Sequence, residues 1–234
     1  MTESTTRDEI EFLASRSAGN VSGIVMRPRR PASLLVLAHG AGAGMRHPFL
    51  EALATRLAAR DVATLRWQFP YVERGSRRPD PQPILLAAVR SAVAKGHELA
   101  ANLPLFAGGK SMGGRMTSLA EAKEPLPDVR GLVFFGFPLH AAGKPSAERA
   151  EHLEQVERPL LFLQGTRDTL ADLALLRPVC ERLGPRATLR IFDDADHSFH
   201  VRKSSGKDDA AILDELATSA AEWMRQLGGK ADSA

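Results

Sequence analysis

Three residues far apart in the chain form a set that could do nucleophilic chemistry. Ser111 sits in "GGKSMGG" (108–114), Asp168 in "LFLQGTRD" (161–168) and His197 in "DADHSF" (194–199). A serine hydroxyl is a weak nucleophile until a base takes its proton, and an imidazole serves best when an acid orients its other nitrogen. Serine, acid, histidine is also the chain order expected where the serine sits on a sharp strand-to-helix turn.

The Ser111 stretch has a rival reading. Gly109-Lys110-Ser111 looks like the end of a phosphate-binding loop, but a Walker loop needs G-x-x-x-x-G-K-[ST]. The first glycine of that pattern falls at Pro104. As G-x-S-x-G (109–113), the motif has strand-like "LPLFAGG" directly before it and helix-like "GGRMTSLAEAK" directly after it. That is the context a nucleophile elbow demands. Glycines at 109 and 113 let strand and helix approach closely, and a serine at a helix N-terminus meets N–H groups that favour negative charge.

The other assignments follow from position. Asp172 rivals Asp168 but lies a turn into the next helix; Asp193, Asp194 and Asp196 read as turn residues. His200 rivals His197 but is further from the strand end. A tetrahedral oxyanion needs two N–H donors. One is assigned to Met112, after the nucleophile, and one to Ala41 in "LAHGAGAGM" (37–45), with Gly42 as second choice. His39 is expected to stabilise that turn rather than to catalyse.

These residues need a scaffold that brings strand ends together. "EIEFLA" and "VSGIVMRP" read as an early hairpin. Strand-like runs at 32–40, 62–67, 103–109, 129–138, 158–165 and from 187 then alternate with helical patterns at 47–60, 82–99, 113–123, 171–183 and 208–227. Continuous apolar strands between helices predict an α/β fold with a mostly parallel sheet and helices on both faces. The expected organisation is one domain over 8–227, with flexible ends at 1–7 and 228–234. No span is long enough for a separate lid domain, so the site is expected to be open and shallow.

Composition excludes other classes. The 234 residues carry a net charge of +3 from 31 basic and 28 acidic side chains, too small and dispersed an excess to argue for nucleic acid. Cys180 is the single cysteine, so no intramolecular disulfide forms. No apolar run approaches the roughly 20 residues of a membrane helix. The polar start has no signal-peptide core, which points to the cytoplasm. No cluster has metal-ligand spacing, and no cofactor is expected.

The set of stretches "LAHGAGAGMRHPFL", "LRWQFPY", "GGKSMGGRM", "GFPLH", "LFLQGTRD" and "DADHSF" resembles the α/β-hydrolase superfamily. It is similar to the small, lidless branch near dienelactone hydrolases and, more narrowly, to the testis-expressed and KAT8-complex-associated hydrolase-like group. The resemblance implies an α/β-hydrolase fold and a triad of Ser111, Asp168 and His197. Dienelactone hydrolases use cysteine as nucleophile, and Ser111 stands there instead, which separates this chain from their specific activity.

The resulting expectation is a cofactor-free serine hydrolase that cleaves carboxylic esters of small or extended substrates through an acyl-enzyme. A thioesterase, peptidase or lactone hydrolase would use the same triad. A non-catalytic interaction protein on a hydrolase scaffold is the alternative from another class. The expected partner is a small-molecule ester or acyl substrate, with neither nucleic acid nor membrane; the sequence gives no oligomeric state. The loop "RWQFPYVERGSRRPDP" (66–81) and the stretch after "VFFGFP" are expected to line the mouth, giving Gly42, Arg66, Tyr71 and His140 as substrate contacts. The arginines of the loop could hold an anionic substrate, or simply be solvated. Trp67 and Phe69 are candidates for a pocket wall or for anchors of the loop.

Overall fold

The computed structural model describes residues 5–229. The chain opens with an antiparallel hairpin of β1 (Thr6–Ser15) and β2 (Gly19–Arg27). It continues through β3 (Ser33–Ala38), α1 (Pro48–Ala58), β4 (Val62–Trp67), the short α2 (Pro70–Glu73) and α3 (Gln82–Ala100). Then come β5 (Leu105–Lys110), α4 (Met112–Lys123), β6 (Val129–Phe135), β7 (Leu160–Gly165), α5 (Leu173–Leu183), β8 (Ala187–Phe192) and α6 (Asp209–Gly228). Glu148–Gln155, Gly184–Arg186 and Lys203–Ser205 are 3-10 turns.

The strands form one sheet in the order β1-β2-β4-β3-β5-β6-β7-β8, parallel from β4 to β8. β2 joins β4 antiparallel. Strands β3, β4 and β7 are buried at every position, and β6 at all but one. A parallel strand covered on both faces has no solvent side, so these strands are mostly apolar, and Thr64, Arg66 and Gln164 are buried with them.

Two cores result. Leu34, Val36, Leu132, Phe134 and Phe162 meet α3, α4 and α5 on one face. Leu35, Leu37, Phe106, Val133 and Leu163 meet α1 and α6 on the other. In α1, Leu50, Leu53 and Leu57 recur at helical spacing and are fully buried; each contributes roughly 1.5–3 kcal/mol on leaving water.

Two expectations at the ends change. Thr6 and Arg7 are not in a frayed end but pair with Arg27 and Met26 in β1, and Arg7 also bridges to Glu51 at 2.6 Å. Gly228 closes α6, its carbonyl accepting from Arg130 Nη1 at 2.9 Å. Residues 1–4 and 230–234 lie outside the described residues. The β6–β7 connection holds only a 3-10 turn, so no lid domain is inserted there.

From β3 the chain crosses to β4 on one side, and later adds β5 on the other. The carboxyl ends of β3 and β5 therefore flank a topological switch point, where crossovers diverge and leave a crevice.

Candidate active site

Ser111 stands at that crevice, between the last residue of β5 and the first of α4, with φ 51° and ψ −120°. A side-chain-bearing residue in this region is strained by about 1–3 kcal/mol. The strain persists because the turn has no slack. A Cβ on Gly109 would lie 2.5 Å from the Ala38 carbonyl oxygen, and one on Gly113 2.6 Å from those of Ala38 and His39. The G-x-S-x-G spacing thus reflects backbone meeting backbone.

His197 Nε2 lies 2.8 Å from Ser111 Oγ, and His197 Nδ1 lies 2.7 Å from Asp168 Oδ2. The Asp168 side chain is 1% exposed, and three donors hold it. Leu170 N–H donates to Oδ1 at 2.8 Å, and Gln164 Nε2 shares Oδ2 with the imidazole. Gln164 is itself fully buried, its Oε1 accepting from Phe137 N–H at 3.0 Å. The acid is a fixed carboxylate, and the base beside it is held in one orientation.

The rivals have other work. Asp172 caps α5 through Ala174 N–H at 2.8 Å. Asp196 accepts from the Ser198 and His200 N–H groups, closing the turn that carries His197. His200 is exposed and pairs with Asp209 at 2.8 Å.

The oxyanion donors also resolve. Met112 N–H opens α4, and neither it nor Ala41 N–H meets an acceptor among the described residues. Gly42, the second choice, gives its N–H to Tyr71 Oη at 3.3 Å. His39 Nε2 accepts from Phe69 N–H at 3.1 Å, so Nδ1 carries the proton and donates to the Gly40 carbonyl at 2.8 Å. A trans peptide points its N–H away from its C=O. The buried His39 thereby aims the next N–H, that of Ala41, away from itself. Burial pulls the His39 imidazole down to about 4, with His47 adding slightly and the Gly40 bond opposing, so it stays neutral.

A pocket of about 330 Å³ opens beside the serine. Ser111, His197, Gly40 and Ala41 form its reactive side; Ala43, Phe49, Leu50 and Leu170 supply apolar walls. Several expected substrate contacts are not there. Arg66 faces the α1/α6 side of β4, fully buried, and holds the Met45 carbonyl at 3.1 Å. Strand alternation turned it beneath the loop after β3 instead of toward the strand end. Tyr71 is 1% exposed and stacks near Phe69 and His39. Trp67 and Phe69 are buried anchors, with rings 4.4 Å apart. His140 is a buried connector: Nε2 accepts from Asp172 N–H and Nδ1 donates to the Ala141 carbonyl, both at 2.9 Å. None of 66–81 lines the pocket; Arg74 of that loop pairs with Asp80.

Sequence reading missed the real walls. Phe49 and Leu50 fell within the helical pattern at 47–60 and were not singled out, although they lie a few residues past the glycine-rich loop. Gln164 carried no signal beyond its place at a strand end. Among the described residues, no group of three or more His, Cys, Asp or Glu side chains is gathered as a metal site.

Residues 31–225 match the family profile of an alpha/beta hydrolase domain. Among solved structures, the chain is similar to a dienelactone hydrolase from Anabaena variabilis, with 21% identity, TM-score 0.75, and 95% of this chain and 98% of that one covered. It is also similar to a lidless serine hydrolase of the α/β class from Xanthomonas campestris, with 18% identity, TM-score 0.70 and coverage of 94% and 96%. A cold-adapted esterase from an Arctic intertidal metagenomic library aligns with 16% identity, TM-score 0.67 and coverage of 97% and 95%. At these identities the likeness speaks for the fold.

Proposed function

This chain belongs to the α/β-hydrolase family, and on that premise we propose that it is a serine hydrolase cleaving carboxylic esters through an acyl-enzyme. One observation carries the reading: an unbroken hydrogen-bonded line from Asp168 through His197 to Ser111, ending at an open apolar pocket. Ser111 Oγ attacks the acyl carbon as His197 Nε2 takes its proton. The Ala41 and Met112 N–H groups receive the charge that develops on the carbonyl oxygen. His197 returns the proton to the leaving alcohol, and the acyl group stays on Ser111. Water, deprotonated by the same imidazole, then releases the acid. Asp168 keeps Nδ1 protonated and stabilises the imidazolium in both halves.

The small, partly apolar pocket fits short acyl groups, and its position at the surface leaves room for an extended alcohol portion. A small-molecule ester is accordingly the proposed partner. No described helix is long and apolar enough to cross a membrane; a cytoplasmic location is part of the proposal and is tested by fractionation.

The test is Ser111→Ala on short-chain p-nitrophenyl esters. Turnover should fall by a factor on the order of 10⁶, with the melting temperature retained. Unchanged turnover in a folded variant would sink the assignment. Running thioester, amide and lactone donors alongside identifies the bond cleaved.

A further inference from the structure

Lys110 is the residue of the elbow that the triad does not use. It ends β5 on the α1/α6 face with Phe106, is partly buried, and also lines the pocket beside Ser111. Its Nζ donates to the backbone carbonyl of His197 at 2.5 Å. The ammonium lies 5.4 Å from the ring centre of Phe199 and 5.9 Å from that of Phe49, and those rings stack on each other at 5.8 Å. Among the described residues it has no carboxylate in direct contact. Taking a cation partly out of water without a direct ion pair costs free energy, a cost that an apolar chain of similar length would not carry.

We propose that Lys110 is a positioning residue for the catalytic base, resting on the triad reading above. Its ammonium grips the His197 carbonyl and holds the imidazole in line between Asp168 and Ser111. The grip acts where the loop needs it. The 194–200 segment turns tightly, with Asp194 and Phe199 at φ 57° and 64°, and Lys110 ties it to the strand that carries the nucleophile. Base and nucleophile therefore share one support.

The charge has a second effect. Lys110 Nζ, Asp168 Oδ2 and His197 Nδ1 all lie within 3.5 Å of the point where a Cβ on Gly136 would stand. A cation behind the acid–base pair adds to the local field around the Asp168–His197 hydrogen bond. The titratable groups facing it are Asp168 and His197 at the site and Asp196 in the turn, with His47 across the pocket. Burial lowers the Lys110 amine to about 8, while Asp168 and Asp196 hold it up, so the cation prevails at neutral pH.

The experiment compares Lys110→Met and Lys110→Arg with the parent enzyme on one p-nitrophenyl ester. Lys110→Met should lower kcat by roughly tenfold or more with KM changed by less than about twofold. Fluorophosphonate labelling of Ser111 should slow by the same factor. Lys110→Arg should restore part of kcat. A folded Lys110→Met variant with unchanged kcat and labelling rate overturns the proposal. So does a loss of kcat with no recovery by arginine, which marks Lys110 as a space filler. Melting curves separate either result from unfolding. If Ser111→Ala is dead and Lys110→Met is unaltered, only the Lys110 role fails; if Ser111→Ala still turns over, the triad reading fails first.

Discussion

Ser111 Oγ lies 2.8 Å from His197 Nε2, and Ser118 Oγ lies 2.8 Å from His152 Nε2. The two serines are seven residues apart across α4, yet their surroundings differ in every respect that matters for reactivity. His197 has a carboxylate on its far nitrogen; among the described residues His152 has none within ion-pair reach. Burial pushes the His152 imidazole down to about 4, with Arg115 adding to the effect, so it is a neutral group. Ser118 already gives its proton to the Arg115 carbonyl at 3.0 Å, leaving its oxygen to accept from His152. It is also fully buried, whereas Ser111 opens onto the pocket. A serine–histidine distance is therefore no signature of catalysis. The acid behind the imidazole, the free hydroxyl proton and the N–H groups facing a space make the difference.

The largest way to break the contrast is Asp168→Asn, which gives His197 an amide partner and removes the charge that stabilises its protonated form. The kcat of ester hydrolysis should fall by about 10³–10⁴ with little change in melting temperature; steady-state kinetics checks this, and a loss below tenfold would mean that the acid is elsewhere.

A smaller effect concerns acid. His39 and His152 are neutral in the fold, both near 4, while the unfolded chain takes up these protons near 6.5. Below that value the unfolded state binds more protons, so stability should decline as pH falls from 6.5 toward 4 and level off beneath. For the fully buried His39 the loss is about 3 kcal/mol. Urea midpoints at pH 6.5, 5.5 and 4.5 measure it, and His152→Gln should flatten the slope. A flat profile in the parent protein contradicts the buried neutral state.

The smallest effect is Ser118→Ala. Turnover should stay within about twofold, since this serine touches neither substrate nor base, while stability falls by about 1 kcal/mol for the lost hydrogen bonds. Denaturant titration beside the ester assay reads both, and a large drop in kcat would show that the inner pair matters to the chemistry.

Much of this was legible in the residues because the constraints were local. β4 was readable to its bounds, Val62–Trp67, as a short strand-like stretch between two helical patterns. The elbow was readable because glycine is demanded wherever backbones touch. Arg66, Tyr71 and His140 misled because charge and polarity near a strand end look available, and only the packed sheet decides which way they turn. Gln164 and Lys110 were invisible as supports for the triad, since what they hold comes from distant parts of the chain. The short α2 and the 3-10 turns left no periodicity long enough to detect.

The crowding around Ser111 also bears on how the protein can change. A Cβ on Gly108 would stand 1.9 Å from the Val133 carbonyl oxygen, and Gly109, Gly113 and Gly114 are nearly as tight. Those positions have no substitutes, so the nucleophile's address is frozen. Ala43 and Leu170 stand on other segments and line the pocket. Diversity introduced there can re-aim the enzyme at new acyl groups without disturbing the reactive turn, and a directed-evolution library belongs on those walls.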